Sequence, residues 1–185
     1  MEITDGLITR VDGRPVEEFI QKLSRDRVDL YIHAKNEGTF SKGQTGACVG
    51  SVIDTRTGFV YEGINGPGDA LIRMEDLHPL LAERYHVLKS DPPHPAQILE
   101  HAEVKAANQL LWERHKLGLP DDASALKELR ASVWFPFKKD FDLEVPVPPK
   151  AAPFCANCAT MLHEVPSSFG RFTAFPPSAE NKLPW

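Results

Sequence analysis

Four residues in two short stretches are of the right types and spacing to do chemistry together. His101 and Glu103 stand in His-Ala-Glu, and about fifty residues later Cys155 and Cys158 form a Cys-x-x-Cys pair within Pro153-Phe154-Cys155-Ala156-Asn157-Cys158. One imidazole and two thiolates are natural ligands for a tetrahedral Zn2+, and three protein ligands leave the fourth position open to water. Cysteines three apart on a helix share a side and can hold one ion, while the N–H groups and dipole at a helix start favour the thiolate form. An open zinc site makes water nucleophilic near neutral pH, and a carboxylate within reach can carry its proton. The chemistry on offer is hydrolysis, with His101, Cys155 and Cys158 as ligands and Glu103 as acid and base.

His101 and Glu103 set a geometric condition. Two positions apart on a regular helix they point about 200° away from each other. They can cooperate only if the metal lies beyond the helix end, where first-turn side chains converge. The Pro-rich entry before Ala96 permits a helix that starts near His101, or a turn earlier. Two other uses of the cysteines are open. A closed structural zinc site would need a fourth ligand, for which His163 is available. A redox Cys-x-x-Cys would be expected directly after an early strand, whereas this pair comes late and follows prolines. The joint occurrence of H-x-E and P-C-x-x-C is the signature of zinc-dependent nucleobase deaminases, here with Phe154 between the proline and the first cysteine. In that chemistry the glutamate is not a ligand: it passes the water's proton to the ring nitrogen and then to the departing ammonia.

Elements must bring these residues together. The apolar spacing predicts a helix over Val16–Asn36 after Pro15, open to interruption near Ser24–Arg27. Gly46–Asp54 and Phe59–Ile64 read as a hairpin around TRTG, followed by a Gly/Pro-marked loop at Asn65–Asp69. Helices are predicted over Met74–Leu88 and Ala96–Lys116, separated by the connector DPPHP. Val133–Phe137 is a candidate central strand whose ladder Pro136 should end early. Val145–Pro153 reads as extended, Cys155–Val165 as a short helix stopped by Pro166, and Arg171–Phe175 as a last strand. The order predicts an α/β domain with a small mixed sheet flanked by helices.

With 185 residues, 42% of them hydrophobic and 25% charged, the chain suits one ordinary folded domain. No apolar run approaches the ~20 residues that span a bilayer, so no membrane partner is expected. MEITDGLITRVDG lacks a basic segment followed by an apolar stretch, so no Sec-type signal peptide is expected. A net charge of -5 and a pI near 5.8 lack the basic footprint of dedicated duplex-DNA binders, although a small basic groove beside a site is compatible with them. Three cysteines, an odd number, do not suggest a disulfide framework, and Cys48 reads as a small buried hydrophobe.

HAEVKAANQLLW (His101–Trp112) together with CANCATMLHEVPSSFGRF (Cys155–Phe172) resembles the YwqJ-like branch of bacterial toxin deaminases. TGACVGSVIDTRTGFVYEGING (Thr45–Gly66) and DLHPLLAERY (Asp76–Tyr85) resemble it as well, so the likeness runs from about Thr45 to Phe172. It implies a cytidine deaminase-like three-layer fold, with zinc held between two helix N-termini. Residues 45–175 would be the deaminase core, 1–44 an N-terminal helical segment and 176–185 a tail. The implied activity is conversion of cytosine to uracil in single-stranded DNA. The protein would be a toxin domain acting in the cytoplasm of a target bacterium after delivery by a dedicated secretion system, and a cognate immunity protein would neutralise it. RNA or a free nucleoside or nucleotide is the alternative substrate, adenine is compatible with the same motif, and an idle partner-binding member is the rival of another class. The presence of Glu103 speaks against that last reading. The resemblance also gives Asn65 a contact to the target nucleotide, although a turn residue at this place needs no such role. Aromatic candidates for base stacking are Trp134, Phe135, Phe154 and Phe169, with Lys138, Lys139, Arg171 and Arg73 for phosphate. Trp134 and Phe135 alternate along a strand and must face opposite sides.

Overall fold

The computed structural model describes residues 1–65, 71–137 and 148–184. Its first fifteen residues form a structure the helical reading of residues 1–44 did not anticipate. Asp5-Gly6 and Asp12-Gly13 each place two consecutive residues at positive φ (52° and 76°, 49° and 75°), the geometry of tight hairpin turns. They fold β1 (Glu2–Thr4), β2 (Leu7–Val11) and β3 (Arg14–Pro15) into an antiparallel sheet of their own.

Helix α1 (Val16–Asn36) then runs unbroken through Ser24–Arg27. Ser24 is tolerated inside it because its hydroxyl reaches Ser132 Oγ across the helix–sheet interface, at 3.1 Å. The charged residues around it form exposed i,i+4 pairs, Lys22–Asp26 and Arg25–Asp29. After the single turn α2 (Lys42–Thr45), β4 (Val49–Asp54) and β5 (Val60–Ile64) form the expected hairpin. The helix predicted from Met74 splits into a 3-10 turn at Met74–Asp76 and α3 (Pro79–Leu88). Pro79 sits well at a helix start, and it holds His78 extended ahead of it. A second 3-10 turn, Ile98–Glu100, precedes α4 (Ala102–Lys116).

After α5 (Ala123–Leu126), β6 (Leu129–Phe135) starts earlier than predicted and stops before Pro136, which has no N–H to extend the ladder. Then come β7 (Lys150–Ala151), α6 (Ala156–Met161), β8 (Arg171–Phe172) and β9 (Lys182–Leu183). The main sheet has the order β5-β4-β6-β7 with every ladder antiparallel. The expectation of a mixed sheet is therefore corrected: parallel pairing is confined, among the described residues, to isolated bridges at Ala131–Ser167 and Phe154–Arg171. The last strand is too short to extend that sheet, and it pairs with β9 instead.

The architecture is α/β in layers, with α1 on one face of the sheet and α4, backed by α3 and α6, on the other. Strand alternation sorts the faces. Ile53 packs with Ile20 of α1, while Val52, Ala131 and Val133 join Val104, Ala107, Leu110 and Leu111 of α4 in the main core. Each of the valine, leucine and isoleucine side chains, fully buried, contributes about 1.5–3 kcal/mol.

Helix α4 is fixed at both ends, and this is what places the candidate site. At its start, the cross-strand pair Gly50–Gly63 leaves the sheet bare. A Cβ on Gly63 would lie 2.2 Å from the Ala102 carbonyl oxygen, so only glycine permits this approach. At its other end the buried Arg114 guanidinium grips Asp54 with two hydrogen bonds (2.7 and 2.5 Å) and Glu128 with a third (2.7 Å). Glu128 also accepts from Arg56. Removing one partner from such a buried group costs about 3–5 kcal/mol, so the cluster holds α4 in register along β4. Among the described residues no helix is long and apolar enough to cross a membrane.

Candidate metal centre and the cavity beside it

His101 is the N-cap of α4 with extended backbone (φ -70°, ψ 132°), and Glu103 lies in the first turn. The helical angle between them therefore does not apply, because His101 is not on the helix. Cys155 is likewise the N-cap of α6 (φ -69°, ψ 169°), with Cys158 one turn inside. Both pairs sit at helix starts, and these bring His101 against the two cysteines. His101 Nδ1 is 2.9 Å from Cys158 Sγ and 3.4 Å from Cys155 Sγ, and the three donor atoms all lie within 4.8 Å of one another. Ligands of a tetrahedral zinc with bonds of about 2.0–2.3 Å stand about 3.5–3.8 Å apart, so the group is of the right size and slightly tight towards Cys158. His163, the fourth ligand a closed structural site would need, is exposed and lies outside the group.

Electrostatics suit a cation. The Cys158 hydrogen bond and, next, His101 bring the Cys155 thiol down to about 4 against the opposition of burial. Burial pushes the Cys158 thiol well above its ordinary value, with the neighbouring Cys155 thiolate adding to the effect. A divalent cation held by both sulfurs would favour the thiolate form of each. Burial disfavours the imidazolium of His101, but the Cys155 thiolate and the Glu103 and Glu100 carboxylates outweigh it and raise the group. Glu103 is 5% exposed, and burial raises its carboxyl above the usual range while His101 opposes. Glu103 and Cys158 each shift the other's protonation, which sets the carboxyl beside the sulfur cluster.

The entry to α4 is held by two asparagines. Asn65 Oδ1 accepts the Ala102 N–H (3.0 Å), capping α4, and leaves its Nδ2 without a partner among the described residues. Lys105 Nζ holds the preceding Ile64 carbonyl at 2.8 Å. Asn157, fully buried between the two cysteines, accepts from His94 N (3.0 Å) and donates to the carbonyls of His94 (2.9 Å) and Ala96 (3.0 Å). It fastens the DPPHP connector to α6, and His94 ends with its ring centroid 6.3 Å from that of His101. This role was missed in the sequence; a polar residue between two cysteines of a candidate metal site was its one signal.

A cavity of about 430 Å³ opens beside Cys155, lined by His94, Phe135, Pro153, Phe172 and Lys182 among others. That is a size suited to a small ligand or a single base. Of the aromatic candidates, only Phe135 lines this cavity. Trp134 faces α1, under the Arg25 guanidinium (5.4 Å to the ring centroid) and edge-on to Phe169 (4.7 Å). Phe154 is 1% exposed in the main core, so its ring is taken up by packing. Arg73 is paired with Asp76 and Glu75. Lys138, Lys139 and residues 66–69 of the post-hairpin loop lie outside the described residues. Cys48 is half-buried against the core.

A second group, His78, His115 and Asp121, also brings its donor atoms within 4.8 Å. His78 Nδ1 accepts the Leu80 N–H (3.4 Å) and so caps α3, which puts the proton of the neutral ring on Nε2, facing Asp121 Oδ2 at 3.2 Å. A metal at Nε2 would need the opposite tautomer, so these residues are read as a hydrogen-bond network. No protein-family model, curated protein or solved structure matches this chain.

Proposed function

We propose that the protein is a zinc-dependent deaminase with a cytidine deaminase-like fold, converting cytosine to uracil in single-stranded DNA. One observation carries the reading: a buried carboxyl, Glu103, meets a buried His/Cys/Cys group that has three ligands, beside an aromatic-lined cavity. A purely structural site has no use for such a proton carrier. His101, Cys155 and Cys158 would hold the ion, which when bound supplies the Lewis acidity that makes water nucleophilic near neutral pH. Burial, by raising the Glu103 carboxyl, suits it to carry the water's two protons one after the other, the first to the pyrimidine N3 and the second to the leaving amine. Asn65 Nδ2, without a partner among the described residues and at the N-terminus of α4, would donate to the sugar or base of the target nucleotide, and Phe135 would offer a wall for its ring.

The resemblance of Thr45–Phe172 to toxin deaminases supports cytosine, single-stranded DNA and use as a delivered bacterial toxin in a target cell's cytoplasm, countered by an immunity protein. RNA and free nucleosides are the alternative substrates. The test is mass spectrometry of a mixed-sequence single-stranded DNA oligonucleotide incubated with the zinc-loaded protein, run beside Glu103→Ala. Cytosine converted to uracil by the wild type alone is the expected result, with turnover in the variant down by about 10²–10⁴ and its zinc retained. Equal activity in the variant overturns the role of Glu103, and no conversion of any base in DNA, RNA or nucleosides overturns the reading.

A further inference from the structure

We infer that Lys182, on the C-terminal strand, is the contact for the phosphate of the target nucleotide, so that residues read from sequence as a tail form part of the substrate site. The inference rests on the deaminase reading for its substrate class.

The backbone connects Lys182 to the metal centre in two steps. Phe154, the neighbour of Cys155, donates its N–H to the Gly170 carbonyl (3.0 Å) and accepts from Phe172 N (2.8 Å). Phe172 in turn is the direct antiparallel partner of Lys182. Residues directly opposite in such a pair put their side chains on the same face, and both Phe172 and Lys182 line the cavity beside Cys155. Two strand spacings amount to about 10 Å, the scale of one nucleotide from reacting ring atom to phosphate. Gly170 makes the arrangement available: at φ +83° it brings β8 so close to the chain end that a Cβ there would stand 2.4 Å from the Leu183 carbonyl oxygen.

The chemistry of the lining agrees. Apolar and aromatic groups (Phe135, Phe172, Pro153 and the His94 ring) suit a planar heterocycle, and among the described residues the lining contains no aspartate or glutamate. Lys182 is the one lysine or arginine among these residues, and its ammonium has no carboxylate partner among the described residues. Of the other cations offered by the sequence that the structure describes, Arg73 is ion-paired elsewhere and Arg171 is not among the lining residues. An acidic protein that handles a polyanion needs its positive charge placed locally, and this is such a place.

The ligand is thus a nucleotide phosphate, whether a diester within a strand or the terminal group of a free nucleotide. Equilibrium binding of deoxycytidine, deoxycytidine 5′-monophosphate and a fluorescent single-stranded DNA oligonucleotide is measured on zinc-loaded protein in the Glu103→Ala background, which removes turnover. Lys182 is exposed, so Lys182→Ala should fold normally. It is expected to weaken the monophosphate or the oligonucleotide roughly tenfold while leaving deoxycytidine unchanged, with Lys182→Arg restoring binding. Loss on the oligonucleotide alone assigns the contact to a strand diester, and its salt slope should then shrink by about 0.7, the value for one phosphate in a single strand. Loss on the monophosphate as well extends the contact to free nucleotides. Equal affinities and salt slopes with and without Lys182, or a loss shared by deoxycytidine, overturn the inference. Phosphate-dependent binding through Lys182 without deamination would leave Lys182 standing and sink the deaminase reading, while deamination indifferent to Lys182 does the reverse.

Discussion

Two groups of three metal-capable side chains lie at the two ends of α4, His101/Cys155/Cys158 at its start and His78/His115/Asp121 near its finish, and they differ in what their donor atoms already do. At the first, the imidazole nitrogen faces two sulfurs at 2.9 and 3.4 Å, and the Cys158 hydrogen bond together with His101 lowers the Cys155 thiol. At the second, every donor atom has a task in the fold. His78 caps α3 through Nδ1 and donates from Nε2, while Asp121 Oδ2 takes the His115 Nδ1 proton at 2.9 Å as well. Trp112, which donates to the Asp76 carbonyl, stands edge-on to His78 with centroids 5.0 Å apart. Proximity of ligand-type atoms is therefore not enough; what separates the sites is whether the lone pairs are free in the required tautomer.

The largest effect that sharpens this contrast is on metal content. Purified protein is expected to hold one zinc per chain, Cys158→Ala none and His78→Asn one, as read by elemental analysis. Metal bound at a thousandfold excess over its Kd stabilises by about 4 kcal/mol, so chelator should lower the wild-type unfolding midpoint by roughly 8–16 °C and leave that of Cys158→Ala unmoved. Zinc retained by Cys158→Ala, or lost from His78→Asn, would erase the distinction.

A smaller effect probes what holds the first group in place. Asn157→Ala removes three hydrogen bonds that pin His94–Ala96 to α6 and leaves their backbone groups unpaired. The expected cost is about 2–4 kcal/mol of stability, with zinc affinity down by about 10–100-fold although every ligand remains. Competition with a chromogenic chelator and urea unfolding check the two parts separately. Unchanged zinc affinity in a destabilised protein would restrict Asn157 to the fold.

The contrast also marks how much was legible in the sequence. The grouping of His101, Cys155 and Cys158, with Glu103 beside it, could be read because these side-chain types are rare in combination, and the hairpin and α4 could be read from periodicity. The sequence left the helix start open between His101 and a turn earlier, and the extended N-cap backbone at His101 settles it near His101. Other features depend on pairings made at a distance. Residue 154 was an aromatic candidate until its ring proved to be core, and Trp134 until strand alternation turned it towards α1. The Asp-Gly turns at 5–6 and 12–13 were legible signals for a hairpin that the helical reading passed over. Lys182 had no local signal, since its place depends on pairing with Phe172 across the cis-proline-containing loop 173–181.

The smallest expected effect lies at the second group and tests its reading as a hydrogen-bond network. Burial lowers the His78 pKa, against the pull of Asp121 and with the help of the neighbouring His115. A histidine with a depressed folded pKa is charged more readily in the unfolded chain. Its contribution is therefore complete above the unfolded value of about 6.5 and is lost as pH falls through the folded one. His78→Asn keeps an oxygen able to cap α3 and removes the titrating ring. With chelator present in both proteins, so that acid release of metal plays no part, the urea midpoint of the wild type should fall from pH 7.5 to pH 5.5 by more than that of His78→Asn. An equal fall would assign the acid sensitivity to other groups. A wild type that gained stability towards pH 5.5 would mean that Asp121 holds the imidazolium after all, and the second group would then have to be reread as an ion-paired site.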